Sequence, residues 1–175
     1  MGGKGGSQPA TWPPSDLRPE HKLATFAGGC FWSVELAFQR VPGVVKTAVG
    51  YSGGHKANPS YEEVCRGTTG HTEAVQMVFD PKEVSYDRLV KVFFDKIDPL
   101  QKGGQGNDIG SQYRTAVFYH DQDQKQVAEA HKAAIPVCAV PALPVAEAHK
   151  AAIPGCVVDI DPYSTFWPAE EYHQQ

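Results

Sequence analysis

The chain has 175 residues and a formal net charge of −4, with 16 Lys and Arg against 20 Asp and Glu. That balance argues against nucleic acid or an anionic membrane as a partner. No apolar run approaches the roughly 18 residues of a membrane span, and the N-terminus lacks the charged-then-apolar layout of a secretory signal. A domain of this size buries roughly 68–70% of its unfolded surface without staples. Its four cysteines, Cys30, Cys65, Cys138 and Cys156, form no dense framework, which points to a reducing, cytoplasmic compartment and leaves an organellar lumen open.

Residues 1–20 are rich in Gly, Pro and Ser and read as a flexible leader, with Trp12 as a residue able to pack back; residues 21–175 form a single domain. The apolar run Leu23 to Ala27 is the first strand. Gly28-Gly29-Cys30 then opens a helix whose apolar residues Trp32, Val34, Leu36, Ala37, Phe38 and Val41 recur at three- and four-residue spacing up to the breaker Pro42-Gly43. Val44 to Tyr51 is a second strand, with Val45, Thr47, Val49 and Tyr51 alternating on one side. After the polar stretch Tyr61 to Gly70 a third strand runs from His71 to Phe79, closed by Asp80-Pro81. Ser85 caps a helix from Tyr86 to Ile97.

Gly104-Gln105-Gly106 invites a nucleotide-binding reading. It fails, because Ile109 holds the third glycine position and the loop follows a helix where a strand is needed. A mobile or tightly turned active-site loop is expected instead. A fourth strand from Tyr113 to His120 and a helix from Asp121 to Ile135 follow. The order strand, helix, strand, strand, helix, strand predicts an α+β fold, a ferredoxin-like two-layer plait whose mainly antiparallel sheet is covered by helices on one side. A fifth strand near Val157 to Ile160 would extend it.

Val127 to Cys138 and Val145 to Cys156 are near copies, too short and too few for a solenoid. Each reads as a short helix ended by Ile-Pro. Their residues His131, Cys138, His149 and Cys156 lack the close ligand pairs of a structural zinc site, so surface histidines and ordinary cysteines are favoured.

A cysteine at the first turn of a helix sits where unpaired backbone N–H groups and the positive end of the helix dipole converge, which favours a thiolate. Cys30 is therefore either a nucleophile with Phe31 and Trp32 as apolar walls or a small buried hydrophobe. Alternation puts Glu73 in one row with Val75, Met77 and Phe79, where desolvation favours the neutral acid; a surface Glu near a strand end is the plainer alternative. Asp108, Tyr61 and Tyr113 lie at loop–strand junctions, where sites are built on a rigid scaffold, and the two phenols can donate to an oxygen without carrying charge.

The segments Gly29-Cys30-Phe31-Trp32, Tyr61 to Cys65 with Gly67, Thr69 to Glu73, Gly106 to Arg114 and Phe166 to Gln175 together resemble the A-class peptide-methionine sulfoxide reductases, over about Leu23 to Gln175. The resemblance implies Cys30 as nucleophile, Glu73 as proton donor, Tyr61 and Tyr113 as oxygen-binding phenols, Asp108 as a supporting carboxylate, and Phe31 with Trp32 as the pocket for the substrate methyl. It also implies methionine sulfoxide of the S epimer, free or in oxidised proteins, as substrate, and thioredoxin or another thiol as reductant. The expected protein is a monomer without metal or cofactor. The chemistry agrees with the residues: a sulfoxide needs a thiolate for its sulfur, a neutral acid and neutral donors for its oxygen, and an apolar wall for its methyl. Cys30 would be left as a sulfenic acid.

Many members carry a resolving cysteine beyond the His-Gln-Gln motif, whereas this sequence stops at Gln175. Either an outside thiol reduces Cys30 directly, or Cys156 or Cys138 substitutes; Cys65 is taken as structural. Two rivals stay open: a cysteine hydrolase with His71 as base, and a metal-binding module using His55, Cys65, His71 and the repeat cysteines. A plain plait domain is the non-enzymatic alternative.

Overall fold

A computed structural model of the chain describes residues 12–135 and 156–174. Strand β1 (Lys22–Ala27) leads into helix α1 (Phe31–Gln39) and strand β2 (Val44–Ser52). Helix α2 (Tyr61–Cys65), strand β3 (Thr72–Phe79) and helix α3 (Tyr86–Lys96) follow. The two-residue strands β4 (Gly104–Gln105) and β5 (Asp108–Ile109) form a hairpin of their own, and a 3-10 turn spans Ser111–Tyr113. Strand β6 (Ala116–Tyr119), helix α4 (Gln122–Ala134), strands β7 (Asp159–Pro162) and β8 (Phe166–Pro168) and a 3-10 turn at Glu171–His173 complete the order.

The main sheet runs β7-β6-β1-β3-β2-β8 and is antiparallel throughout except between β6 and β7. The fold is thus α+β with a mostly antiparallel sheet. β3 hydrogen-bonds to β1 on one side and β2 on the other, and all eight of its residues are buried.

Period-two alternation sorts the sheet residues into two cores. Ala24, Phe26, Val49, Tyr51, Val75, Met77 and Val117 meet the buried residues of α1, α3 and α4. Phe26 lies between Phe38 and Phe93, with ring centroids 5.1 and 5.0 Å away; such pairs are worth about 0.5–1.5 kcal/mol each beyond their buried area. The reverse face gathers Ala27, Ala48, Ala74, Ala116, Phe118 and Phe166, with Trp12 and Tyr163 against them. Its polar groups are matched. Trp12 Nε1 donates to Gln76 Oε1 at 2.7 Å, Gln76 Nε2 donates to Thr25 Oγ1 at 2.9 Å, and Thr25 Oγ1 lies 2.8 Å from His120 Nε2.

The helix starts follow from side chains that accept backbone N–H groups. Ser85 Oγ takes that of Arg88 at 3.1 Å, and Asp121 Oδ1 takes that of Gln124 at 2.8 Å.

Several expectations change. The stretch expected as a compact polar segment contains α2, started by a capping box in which Ser60 and Glu63 satisfy each other's N–H groups. The strand expected from Tyr113 begins at Ala116. Thr72 Oγ1 bonds to the Gln112 and Arg114 carbonyls at 3.0 and 3.1 Å, so those carbonyls serve a side chain and the chain winds into a 3-10 turn. In β2 the register slips between Val44 and Lys46, which turns Val45 outward. On α1 the buried face is Phe31, Val34, Glu35 and Phe38, while Trp32 and Leu36 are 42% and 45% exposed. Thr47 donates to Glu35 Oε1 at 2.8 Å, Oε2 is buried without a partner, and burial pushes the carboxyl up. Edge strand β8 was not anticipated.

The first repeat copy supplies the last turns of α4; Cys138, His149 and all of the second copy except Cys156 lie outside the described residues. Among the described residues no helix is long and apolar enough to cross a membrane, and no group of three or more His, Cys, Asp or Glu is placed to hold a metal ion.

Candidate active site

Two glycines turn the chain from β1 into α1. A Cβ on Gly28 would lie 2.6 Å from Ile97 Cγ2, so α3 packs directly against this backbone; Gly29 has φ +79°, and a Cβ there would lie 2.8 Å from Gln105 Cβ. Gln105 in turn ties the β4–β5 hairpin down, its amide accepting from the Asp98 N–H at 2.6 Å and donating to the Asp98 carbonyl at 2.8 Å. Cys30 is the N-cap residue of α1, with an extended backbone, a partly buried free thiol and no side-chain capping bond. Its carbonyl accepts from Ser33 and Val34 at 3.2 and 3.4 Å.

The next N–H, on Phe31, donates to Glu73 Oε2 at 3.1 Å. Glu73 stands opposite Tyr51 in the β2–β3 ladder and is 2% exposed. Burial pushes its carboxyl up from 4.5 to about 7; the Phe31 N–H pulls it back, and the negative charge of Asp108 on β5 adds to the rise. Glu73 is therefore about half protonated at pH 7, where an ordinary carboxyl is almost wholly ionised, and lies within range of a second carboxylate.

Tyr113 reaches the same place from the 3-10 turn that Thr72 anchors. Burial raises its phenol, and Glu73, Cys65, Asp108 and Cys30 each add to the rise. Tyr61 is the first residue of α2; the Cys65 side chain one turn along, followed by burial and the nearby Tyr113 and Glu73, holds its phenol well above the ordinary range. Both phenols stay protonated donors. The structure thus brings Cys30, Glu73, Tyr61, Tyr113 and Asp108 into one electrostatic neighbourhood and adds Cys65, which the sequence reading had set aside as structural. Phe31 is buried and Trp32 half exposed, their rings 6.0 Å apart.

The final segment closes the site, and the sequence reading assigned no role to its residues. Trp32 Nε1 donates to the His173 carbonyl at 2.7 Å. The His173 ring, 6% exposed, lies 4.7 Å from Tyr61 and 5.4 Å from Phe31; burial lowers its pKa, so it is neutral at pH 7. Glu170 accepts the Tyr61 N–H at 2.7 Å and the Tyr51 hydroxyl at 2.9 Å. Gln174 brackets Val49, accepting its N–H at 3.1 Å and donating to its carbonyl at 2.8 Å. The signal for these residues was the polar cluster Glu170 to Gln174 itself.

Other expected residues lie elsewhere. His71, the rival base, has both ring nitrogens occupied: Nδ1 accepts from the Gly54 N–H at 3.0 Å and Nε2 lies 2.7 Å from the Lys56 carbonyl. It is not free to take a proton from Cys30, and the hydrolase reading falls. His131 pairs with Asp87 at 2.8 Å on the surface of the α3–α4 face. Cys156 packs at the edge of the helix-side core, and Cys138 lies outside the described residues.

Comparison with known proteins matches residues 22–175 to a family model described as peptide methionine sulfoxide reductase. A relative from Methanosarcina acetivorans named peptide methionine sulfoxide reductase MsrA is 50% identical over 87% of this chain and 75% of its own. Among solved structures, methionine sulfoxide reductase A of Corynebacterium diphtheriae superimposes with a TM-score of 0.74 at 33% identity, over 90% of this chain and 74% of that one. Reduced Mxr1 of Saccharomyces cerevisiae gives 0.73 at 30%, over 89% and 83%; the same yeast protein in complex with Trx2 shares the fold at 0.56 and 21%, over 90% and 88%. The matched span takes in every strand and helix of the sheet and every side chain gathered around Cys30, and the chain belongs to the peptide methionine sulfoxide reductase family.

Proposed function

We propose that the chain reduces methionine S-sulfoxide, free or in oxidised proteins, to methionine, and so repairs oxidative damage. The observation that carries this is the bond from the Phe31 N–H to a buried Glu73 whose carboxyl is pushed up to about 7, which seats an acid one residue from the thiol. The Cys30 sulfur attacks the sulfoxide sulfur while Glu73 gives its proton to the oxygen. The sulfurane so formed, with Cys30 bonded to the substrate sulfur, passes its hydroxyl to Cys30 as that S–S bond and the substrate S–O bond break, so sulfoxide sulfur is reduced by two electrons to methionine and Cys30 is oxidised to the sulfenic acid. Tyr61 and Tyr113 donate to the oxygen as its charge grows, Asp108 keeps the Glu73 proton in place, and Phe31 with Trp32 shelters the methyl.

Two thiols then restore Cys30. The yeast relative's complex with Trx2 supports thioredoxin as their source, with Cys156 or Cys138 as internal partner if a disulfide forms first. We further infer a monomeric single domain over residues 21–175 in the cytoplasm. For the fold we propose the ferredoxin-like plait, supported by the order β6-β1-β3-β2, in which a β-hairpin partner separates the two strands of a split βαβ unit.

The test is consumption of methionine S-sulfoxide and of the R epimer with dithiothreitol as reductant. Turnover of S alone, abolished by Cys30→Ser, is expected; activity surviving that substitution overturns the proposal. Mass analysis after one turnover without reductant separates a lone sulfenic acid from a Cys30–Cys156 or Cys30–Cys138 disulfide.

A further inference from the structure

We propose that Glu170 is a positioning residue that fixes the Tyr61 hydroxyl over the sulfoxide oxygen, by tying the start of α2 to the floor of the site. The inference rests on the reductase reading above and deepens it. Helix α2 has only five residues, too few to hold itself in water, so the place of Tyr61 depends on what its ends are fastened to. The capping box satisfies Ser60 and Glu63 and leaves the Tyr61 N–H over; Glu170 Oε1 accepts it at 2.7 Å. The other oxygen, Oε2, accepts the Tyr51 hydroxyl at 2.9 Å. Tyr51 is fully buried near the end of β2, faces Glu73 across the ladder and packs 6.1 Å from Phe31. One carboxylate therefore links the strand that borders the acid to the helix that carries the phenol. Glu170 is itself fixed: Ala169 N–H bonds to the Val49 carbonyl at 2.9 Å, and Gln174 Nε2 bonds to the carbonyls of Val49 and Ala169. Two short bonds, at 2.7 and 2.9 Å, to the two oxygens of one side chain suit a joint that must not drift. The carboxylate touches no reacting atom and acts only through Tyr61.

The experiment is a double-mutant cycle of Glu170→Ala and Tyr61→Phe, with kcat and KM measured on N-acetyl-methionine S-sulfoxide and dithiothreitol. Glu170→Ala is expected to lower kcat by about tenfold to a hundredfold in the parent, since a misplacement of about 1 Å costs that much, and by less than about twofold once the Tyr61 hydroxyl is gone. Glu170→Gln recovers most of the rate, because its amide oxygen can take the Tyr61 N–H while the Tyr51 hydroxyl turns to accept from the amide nitrogen. Equal losses in both backgrounds, or full activity of Glu170→Ala, overturn the assignment. If Glu170→Ala does not fold, the same cycle is run with Tyr51→Phe, which removes one leg of the joint and leaves the carboxylate. Exchange of the Tyr61 amide proton is read alongside: at least about tenfold faster in the folded variant supports the joint, and no change overturns it. A parent inactive on the sulfoxide defeats the reductase reading, whereas an active parent with additive losses defeats only the role given to Glu170.

Discussion

The N–H of Phe31, the first residue of α1, donates to Glu73 Oε2 on the central strand β3 at 3.1 Å. This bond makes the start of α1 and the middle strand parts of one device: the helix end that presents the Cys30 thiol also holds the Glu73 carboxyl.

Because Glu73 loses its proton around pH 7, the chemical step should slow as pH rises through that value. Single-turnover rates between pH 5.5 and 9 should show this inflection. Glu73→Gln should lower the rate by about 10²–10⁴-fold, the usual contribution of a positioned acid, and remove the inflection. A rate within a few-fold of the parent would exclude Glu73 as the acid.

The same shift fixes a sign for stability. Below pH 4.5 Glu73 is protonated folded and unfolded, and costs nothing. Between 4.5 and about 7 the unfolded chain has released the proton and the folded chain keeps it, so stability falls as pH rises, levelling off above 7 at a loss of about 3 kcal/mol. Glu73→Gln escapes this loss. Urea unfolding should find the variant gaining on the parent by about 2 kcal/mol between pH 5 and pH 8; parallel curves would show that the acid is not desolvated.

Gly29→Ala forces a side chain into a backbone with φ +79° and against Gln105. The strain is about 1–3 kcal/mol. The displaced Gln105 loosens the hairpin that carries Asp108. Thermal unfolding should drop by about 2–4 °C for each kcal/mol lost, with turnover falling as well. An unchanged midpoint would mean that the turn is not held by the contact with Gln105.

Trp12→Phe keeps a ring near Phe166 but leaves Gln76 Oε1 buried without its donor. The expected cost is about 1–3 kcal/mol, read in urea, with kcat unchanged within about twofold because Trp12 packs on the face of the sheet away from Cys30. Equal unfolding midpoints would show that this end of the chain adds nothing to the domain.

Much of this was legible from local pattern. Gly28-Gly29-Cys30 before an apolar helix marks a turn with one outcome, and Glu73 in a row of Val, Met and Phe can only be a desolvated acid once the strand is central. Local pattern misled where a distant partner decides. Trp32 and Leu36 were counted in the apolar face of the first helix because nothing in their own helix shows which face meets the sheet, and Glu35 went unmentioned because its donor, Thr47, lies on the next strand. Strand β8 was illegible for the same reason: three residues have no period, and their pairing with Gly50 to Ser52 is set by the far end of the chain. Glu170 and His173 went unassigned because their partners Tyr51, Tyr61 and Trp32 are contributed by three other elements.

The wall built by residues 166–174 has a consequence for the order of events during synthesis. A chain emerges from the ribosome N-terminal end first, so Cys30, Glu73 and both phenols are outside before Glu170 and His173 have been added. Until then Trp32 and Tyr61 lack the partners that set them, and the nascent enzyme carries a bare thiol without a finished pocket. Competence arrives only with residues 166–174, translated after every other part of the site.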